Sequence, residues 1–262
     1  MKSNRIEALF LKYYYNMKRN LDRIFDIFYW PAVGLFTWGF TSMFIDDISD
    51  GGGYIGFFLS AFVLWTLVQR SQQDLSTALL EDFWNDNIYN TFSSPITNLD
   101  LFVATTLYSV ARALVAFLFL FLLGMVFYSF NIFDLGLISL SILGGTLVLF
   151  GSAIGAFVSG LIYRFGQRIQ VFAWSTIVIL QPISAVFYPR DILPGLFYYS
   201  SYLVPTSYVF EGMRVVLDTG ETPWTHISIS LGMTMVYLFI GYAVFAHLLE
   251  KSRQKGYLAQ YA

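Results

Sequence analysis

Residues 181–205 read QPISAVFYPRDILPGLFYYSSYLVP, and the fold turns on them. The stretch is mostly apolar or aromatic and, with its neighbours, long enough to cross a membrane. It nevertheless carries Pro182, Pro189, Pro194 and Pro205, and an adjacent charge pair, Arg190 and Asp191. A proline inside a helix removes a backbone donor and costs roughly 3 kcal/mol. One continuous rod is therefore excluded, and short helices that enter a membrane and turn back are expected. Broken backbone at membrane depth is tolerated only where protein or a water-filled cavity satisfies it, so such a segment would line something. The other reading is an aromatic-rich loop lying at the interface, where tyrosine and tryptophan collect.

The composition supplies the solvent. Of 262 residues, 56% are hydrophobic and only 12% charged, with a mean hydropathy of +0.60. Soluble domains carry roughly 25% charged residues, and half that cannot wet a folded surface. Cysteine is absent, which excludes a disulfide framework and thiolate chemistry. His226 and His247 are too few and too far apart for a histidine-rich metal site. No GxxxxGK[ST] phosphate loop and no HExxH occur, so the chain has neither motor nor metal motif of these kinds. A net charge of −2 offers nothing to nucleic acid. The basic N-terminus runs into an amphipathic stretch, and no cleavable leader is expected.

About 20 apolar residues span a hydrocarbon core. Six stretches qualify: 27–45, 54–69, 113–133, 135–163, 169–188 and 227–249. Lys2, Arg5, Lys12, Lys18, Arg19 and Arg23 precede the first, Arg164 and Arg168 follow the fourth, and Lys251, Arg253 and Lys255 follow the sixth. With six crossings all of these fall on one side, which the basic-inside bias makes cytoplasmic. The acidic run at 46–50 and the stretch from Arg190 to Trp224 then lie outside.

Two cytoplasmic features stand out. In residues 5–20, Ile6, Leu9, Phe10, Tyr13 and Met17 recur at spacings of three and four, with Lys12, Lys18 and Arg19 opposite. That pattern describes a helix in the headgroup plane, or one packing on a partner. In residues 74–98, Leu75, Leu79, Leu80, Phe83, Trp84 and Ile88 form a stripe beside Asp74, Glu81, Asp82 and Asp86, before Ser94-Pro95 breaks it. An acidic, aromatic-tipped helix between two spans is a docking knob for a cytosolic protein or an ordinary amphipathic connector. Arg112 is expected at the inner boundary of the third span, snorkelling or pairing with Asp22 or Asp26. No carboxylate falls centrally in a span, which weakens a proton- or sodium-coupled carrier. Glu211 and Arg214, three apart, form a local ion pair or serve gating. Gly151, Gly155 and Ser159, at spacing four, allow close helix packing within one subunit or across a dimer.

The order of these pieces resembles the membrane subunit of type-2 ATP-binding-cassette exporters, the class serving drugs, lipids and polysaccharides. The resemblance covers nearly the whole chain and rests on RNLDRIFDIFYWPAVGLFTWGF, FWNDNIYNTFSSPITNLDLFVATTLYSVARAL and QPISAVFYPRDILPGLFYYSSYLVPTSYVFEGMR. Val204 departs from the asparagine that many relatives carry before the proline. The resemblance implies a single all-α polytopic membrane domain over 1–262. It would have six transmembrane helices, an interfacial N-terminal helix and re-entrant external helices (189–214) between spans five and six. It implies that Glu81, Asp82, Phe83, Trp84, Ser94 and Pro95 couple to two cytosolic ATPase subunits, which bind the ATP and magnesium; this chain would bind no cofactor and catalyse nothing. Tyr188, Pro189, Pro194, Phe197, Tyr198, Tyr199, Tyr202, Glu211 and Arg214 would form an external gate between two permease copies, a homodimer. The setting would be a bacterial inner membrane with both termini cytoplasmic. The competing class is a stand-alone secondary carrier or channel.

Overall fold

A computed structural model of the protein describes residues 3–49 and 53–254, and every element among them is helical. Lys2, Asp50 and Lys255 of the charge pattern lie outside the described residues. The order is α1 (Ser3–Arg19), α2 (Leu21–Ile48), α3 (Tyr54–Trp84), α4 (Ile88–Ser93), α5 (Asn98–Tyr128), α6 (Leu137–Phe165), α7 (Phe172–Leu180), α8 (Gly195–Ser201), α9 (Pro205–Thr219) and α10 (Trp224–Gln254).

Among the described residues, four helical stretches are long and apolar enough to cross a membrane: Tyr54–Trp84, Asn98–Tyr128, Leu137–Ile169 and Trp224–Gln254. The six expected crossings are thus not all matched. At 28 residues α2 has the length, but Pro31 and its tryptophans, threonines and glycines dilute its hydropathy. The expected fifth span, 169–188, is not one helix. It is α7, nine residues long, followed by a 3-10 turn at Pro182–Ser184 and by Ala185 in the left-handed region at φ 53°. Pro182 is the cause, because its ring and missing N–H forbid another α-turn. The third crossing also shifts: α5 begins at Asn98 and stops at Tyr128, while Phe133 falls in a separate 3-10 turn, Ile132–Leu135.

Helix ends follow local chemistry. Thr97 and Asp100 form a reciprocal capping box at the start of α5. The Asp46 carboxylate accepts the backbone N–H of Tyr54 at 2.7 Å, setting a negative charge against the α3 N-terminus. The 85–87 turn ends α3, so residues 74–84 continue the long α3 rod rather than forming a separate helix.

The core is built around α3 and α6. A Cβ on Gly151 would meet the Val68 carbonyl at 2.5 Å, and one on Gly155 would meet that of Gln72 at 3.0 Å. Gly160 faces the Phe245 backbone of α10 in the same way. The small-residue stripe therefore serves packing within the chain, where backbones approach too closely for side chains. The apolar stripe of α1 also turns inward: Ile6, Leu9 and Tyr13 are buried with Leu79, Phe83 and Tyr108. The large hydrophobic residues that α1 leaves exposed are Leu11, Tyr14 and Tyr15.

Candidate functional site

The half of the molecule where α1 packs on α3 and α5 is laced by charge. Asp26 of α2 meets Arg70 at 2.9 Å and Arg112 at 3.4 Å, and Asp74 meets the same two arginines at 3.8 and 3.3 Å. Arg112 also donates to the Arg23 carbonyl at 3.3 Å. The expected partner Asp26 is thus present, and Asp74 joins it. Two arginines against two aspartates leave no net charge, as burial requires. Arg70 and Asp74 stand four apart on α3, a pairing visible in the sequence that had pointed to nothing on its own.

The residues expected to engage a partner divide in two. Glu81 is 3% exposed and pairs with Arg23 at 3.0 Å, while Asp82 is 0% exposed and pairs with Lys12. Thr91 completes that second site, accepting from Lys12 at 2.6 Å. Phe83 is buried as well. The two acids hold α1 and α2 onto α3, Phe83 packs against Tyr163 of α6, and all three are buried. Trp84, Ser94 and Pro95 are exposed. Trp84 does more than protrude: its ring stacks on Trp174 of α7 at 6.2 Å, its indole N–H donates to Gln170 at 3.3 Å, and Arg23 lies over it at 4.9 Å. The tip of α3 therefore touches the start of the short, broken helix.

Where α2, α3 and α7 meet, a hollow of about 570 Å³ opens. Trp30, Trp65 and Trp174 line it together with Gln69, Gln73 and Gln181. On α3 the lining residues Phe62, Trp65, Thr66, Gln69 and Gln73 recur every three or four positions, so they form one face. Gln69 lies 15 residues into α3, about 22 Å along the rod, within the roughly 30 Å of helix that a crossing takes. Amides facing hydrocarbon at that depth would lose their hydrogen bonds, so this face needs water, protein or a ligand. The sequence reading missed it because glutamine at single positions carries no signal until the face is assembled.

A second cavity, about 640 Å³, lies further along, lined by Tyr54, Phe57, Phe58, Phe187, Pro189 and Arg214 among others. Between the two, Phe187 stacks on Trp38 at 3.7 Å and faces Phe58 at 6.1 Å. Phe58 and Phe187 also line the second cavity, so the three-ring stack stands at its edge.

The proline-broken segment folds back deeply. Tyr237 lies 13 residues, about 20 Å, along α10 from Trp224, and its hydroxyl donates to the Leu203 carbonyl at 2.9 Å. The Val204–Pro205 turn sits at that level, and α9 climbs back along α10. Pro205 starts α9 at N1, where its absent N–H costs nothing.

Arginines repair the broken backbone. The Arg214 guanidinium donates to the carbonyls of Ala185, Val186 and Tyr188 and pairs with Glu211 at 3.1 Å. Burial pulls its pKa below the ordinary arginine value, and Glu211 opposes that shift. Glu211 also accepts the Arg190 backbone N–H at 2.7 Å. Arg190, absent from the sequence-derived site, sits over Tyr202 at 4.2 Å and Tyr208 at 4.4 Å and donates to Ser207 at 2.6 Å. The structure brings the expected gate residues together only in part. Tyr198 and Tyr202 share a hydroxyl contact of 2.7 Å, and Tyr188 donates to the Pro182 carbonyl. Phe197 and Tyr199 project outward, and Pro189 and Pro194 are exposed. Among the described residues, no group of three or more His, Asp or Glu converges as a metal site would require.

No family model matches the chain, and no curated protein matches it.

Proposed function

We propose that the chain is the permease subunit of a type-2 ATP-binding-cassette exporter, two copies of which enclose a path driven by separate cytosolic ATPases. One observation carries this reading. Trp84, at the exposed cytoplasmic tip of α3, touches Trp174 at the start of α7, and α7 and α3 together wall a polar hollow at membrane depth. A push on the tip has a packed route to the wall. No phosphate loop lies in the chain, so the work must come from a partner.

In this reading α2 and the α7–Ser184 segment complete six crossings, and the α8–α9 hairpin is re-entrant from outside. Both termini are cytoplasmic, by the placement of Lys and Arg. The docking surface is Trp84, Ser94 and Pro95 with the 85–87 turn. Glu81, Asp82 and Phe83 act behind it, holding the tip to α1, α2 and α6. ATP binding shifts the pair between inward- and outward-open populations. The Trp38–Phe58–Phe187 stack closes the route between the inner hollow and the outer cavity in the conformation described.

The test is reconstitution in vesicles with a cognate ATPase. Trp84→Ala should leave ATP hydrolysis within about twofold while transport falls at least tenfold. Transport by the permease alone, driven by an ion gradient without ATP, would replace this reading with a secondary carrier.

A further inference from the structure

We infer that the hollow between α2, α3 and α7 binds an uncharged, polyhydroxylated headgroup such as that of a glycolipid, rather than a cationic or anionic amphiphile. The inference rests on the export reading for its biological meaning, but the binding chemistry stands on the lining alone.

Charge comes first. The charged side chains lining the hollow are Arg70 and Asp26, paired with each other at 2.9 Å. Behind them Arg112 and Asp74 close the same four-membered network at 3.3 Å. The signs are balanced, two arginines against two aspartates, although Arg70 Nε and Nη2 are buried without a hydrogen-bond partner. An incoming phosphate or carboxylate would have to displace Asp26 from Arg70 Nη1 or open the packing over Nε and Nη2. A quaternary ammonium would meet Asp26 beside the two arginines that already neutralise it. Displacing either partner strands a charge that is wholly or partly buried, which is costly.

Hydrogen-bonding capacity comes second. Gln69 and Gln181 are half-buried on the wall, and their side-chain amides make no hydrogen bond among the described residues. Gln73 spends one N–H on the Trp174 carbonyl and keeps its oxygen. Each free amide offers two donors and an acceptor that can serve two bonds. A purely apolar ligand would leave these groups dry and unpaired. A ligand edged with hydroxyls, each both donor and acceptor, matches them.

Surface comes third. Trp30 is 64% exposed and Trp174 39%, so both leave ring surface open to the hollow, while Trp65 forms its buried floor against Phe210. A pyranose has faces of C–H groups and a rim of hydroxyls. Indole faces receive the former through flat apolar contact, and the amides receive the latter. At about 570 Å³ the hollow falls within the ordinary range for small-molecule sites, about 300–1,000 Å³.

The experiment uses the full chain in phosphatidylcholine nanodiscs, without ATPase. Three probes share one tail: octyl β-glucoside, octyltrimethylammonium and octyl phosphate. Binding is read by calorimetry and tryptophan fluorescence, each corrected against empty nanodiscs. The glucoside should saturate about tenfold more tightly than either ion. Gln69→Leu combined with Gln181→Leu should remove that preference by about tenfold while leaving the melting temperature in place. Trp174→Phe, which keeps a ring, should retain more affinity than Trp174→Ala. Tighter binding of either ion, equal binding of all three, or a glucoside affinity indifferent to the glutamines would overturn the inference. Because no ATPase is present, such a result would leave the Trp84 coupling test untouched, and failure of coupling would leave the binding result standing.

Discussion

The two ends of the molecule use charge in opposite ways. At the α1 end, cations meet carboxylates on other helices: Lys12 with Asp82, Arg23 with Glu81, Arg70 and Arg112 with Asp26 and Asp74. At the other end, the Arg214 guanidinium pairs with Glu211 and donates to backbone carbonyls, while Arg190 gives its backbone N–H to Glu211 and turns its guanidinium to the Ser207 hydroxyl and two tyrosine rings. The difference follows from the backbone. Continuous helices satisfy their own carbonyls, so charges there are free to join helix to helix. Prolines at 182, 189, 194 and 205 leave carbonyls without donors, and a guanidinium with five N–H groups repairs several at once. One end is a clamp between rods, and the other is a mended fracture.

The sharpest way to break that contrast is Lys12→Met. It strands the fully buried Asp82 carboxylate and should cost about 3–5 kcal/mol, read as a lowered melting temperature. Adding Asp82→Leu to the same chain should recover most of the loss. If the single variant melts like the parent, the clamp is not one.

Arg214→Lys probes the other side. Nη2 of Arg214 serves the Ala185, Val186 and Tyr188 carbonyls while Nη1 pairs with Glu211, and a lysine with its single nitrogen cannot do both. About 2 kcal/mol should be lost locally, with faster amide exchange around 185–190 and no change at α1. Wild-type exchange rates in Arg214→Lys would mean the ion pair alone holds the segment.

The smallest effect belongs to Tyr13. Its hydroxyl is pushed well above the ordinary 10.0, chiefly by burial and then by the Asp82 carboxylate. The unfolded chain sheds that proton near pH 10 and the folded chain does not. The stabilisation is therefore complete below about pH 10 and declines as pH rises beyond it. Tyr13→Phe should change stability by less than about 1 kcal/mol at pH 7 and flatten the alkaline decline. An unchanged alkaline slope would remove Tyr13 from the clamp.

Much of this layout was legible in the chain. The prolines mark the fracture, Ser94-Pro95 ends the stripe that begins at Leu75, and the stripe of α1 follows from spacing alone, whereas the turn at 85–87 that splits the first stripe before Ile88 was not expected. Arg112 beside Asp26 was expected because a boundary arginine needs a counter-ion. The fifth stretch is not one helix to residue 188, because apolar residues continue through Pro182 while the helix does not. Glu81 and Asp82 were misplaced for another reason: acids on an amphipathic helix look solvated until their partners are known.

The sequence alone determined helical class, membrane-spanning apolar character and the proline-marked breaks. Each depends on composition or on residues within a turn or two. Only the tertiary structure decided that Glu81 and Asp82 face inward, that Arg214 mends the backbone near Ala185, and that three glutamines and three tryptophans share one hollow. Those outcomes depend on residues as far apart as Lys12 and Asp82, and no local pattern records which rod will lie against which.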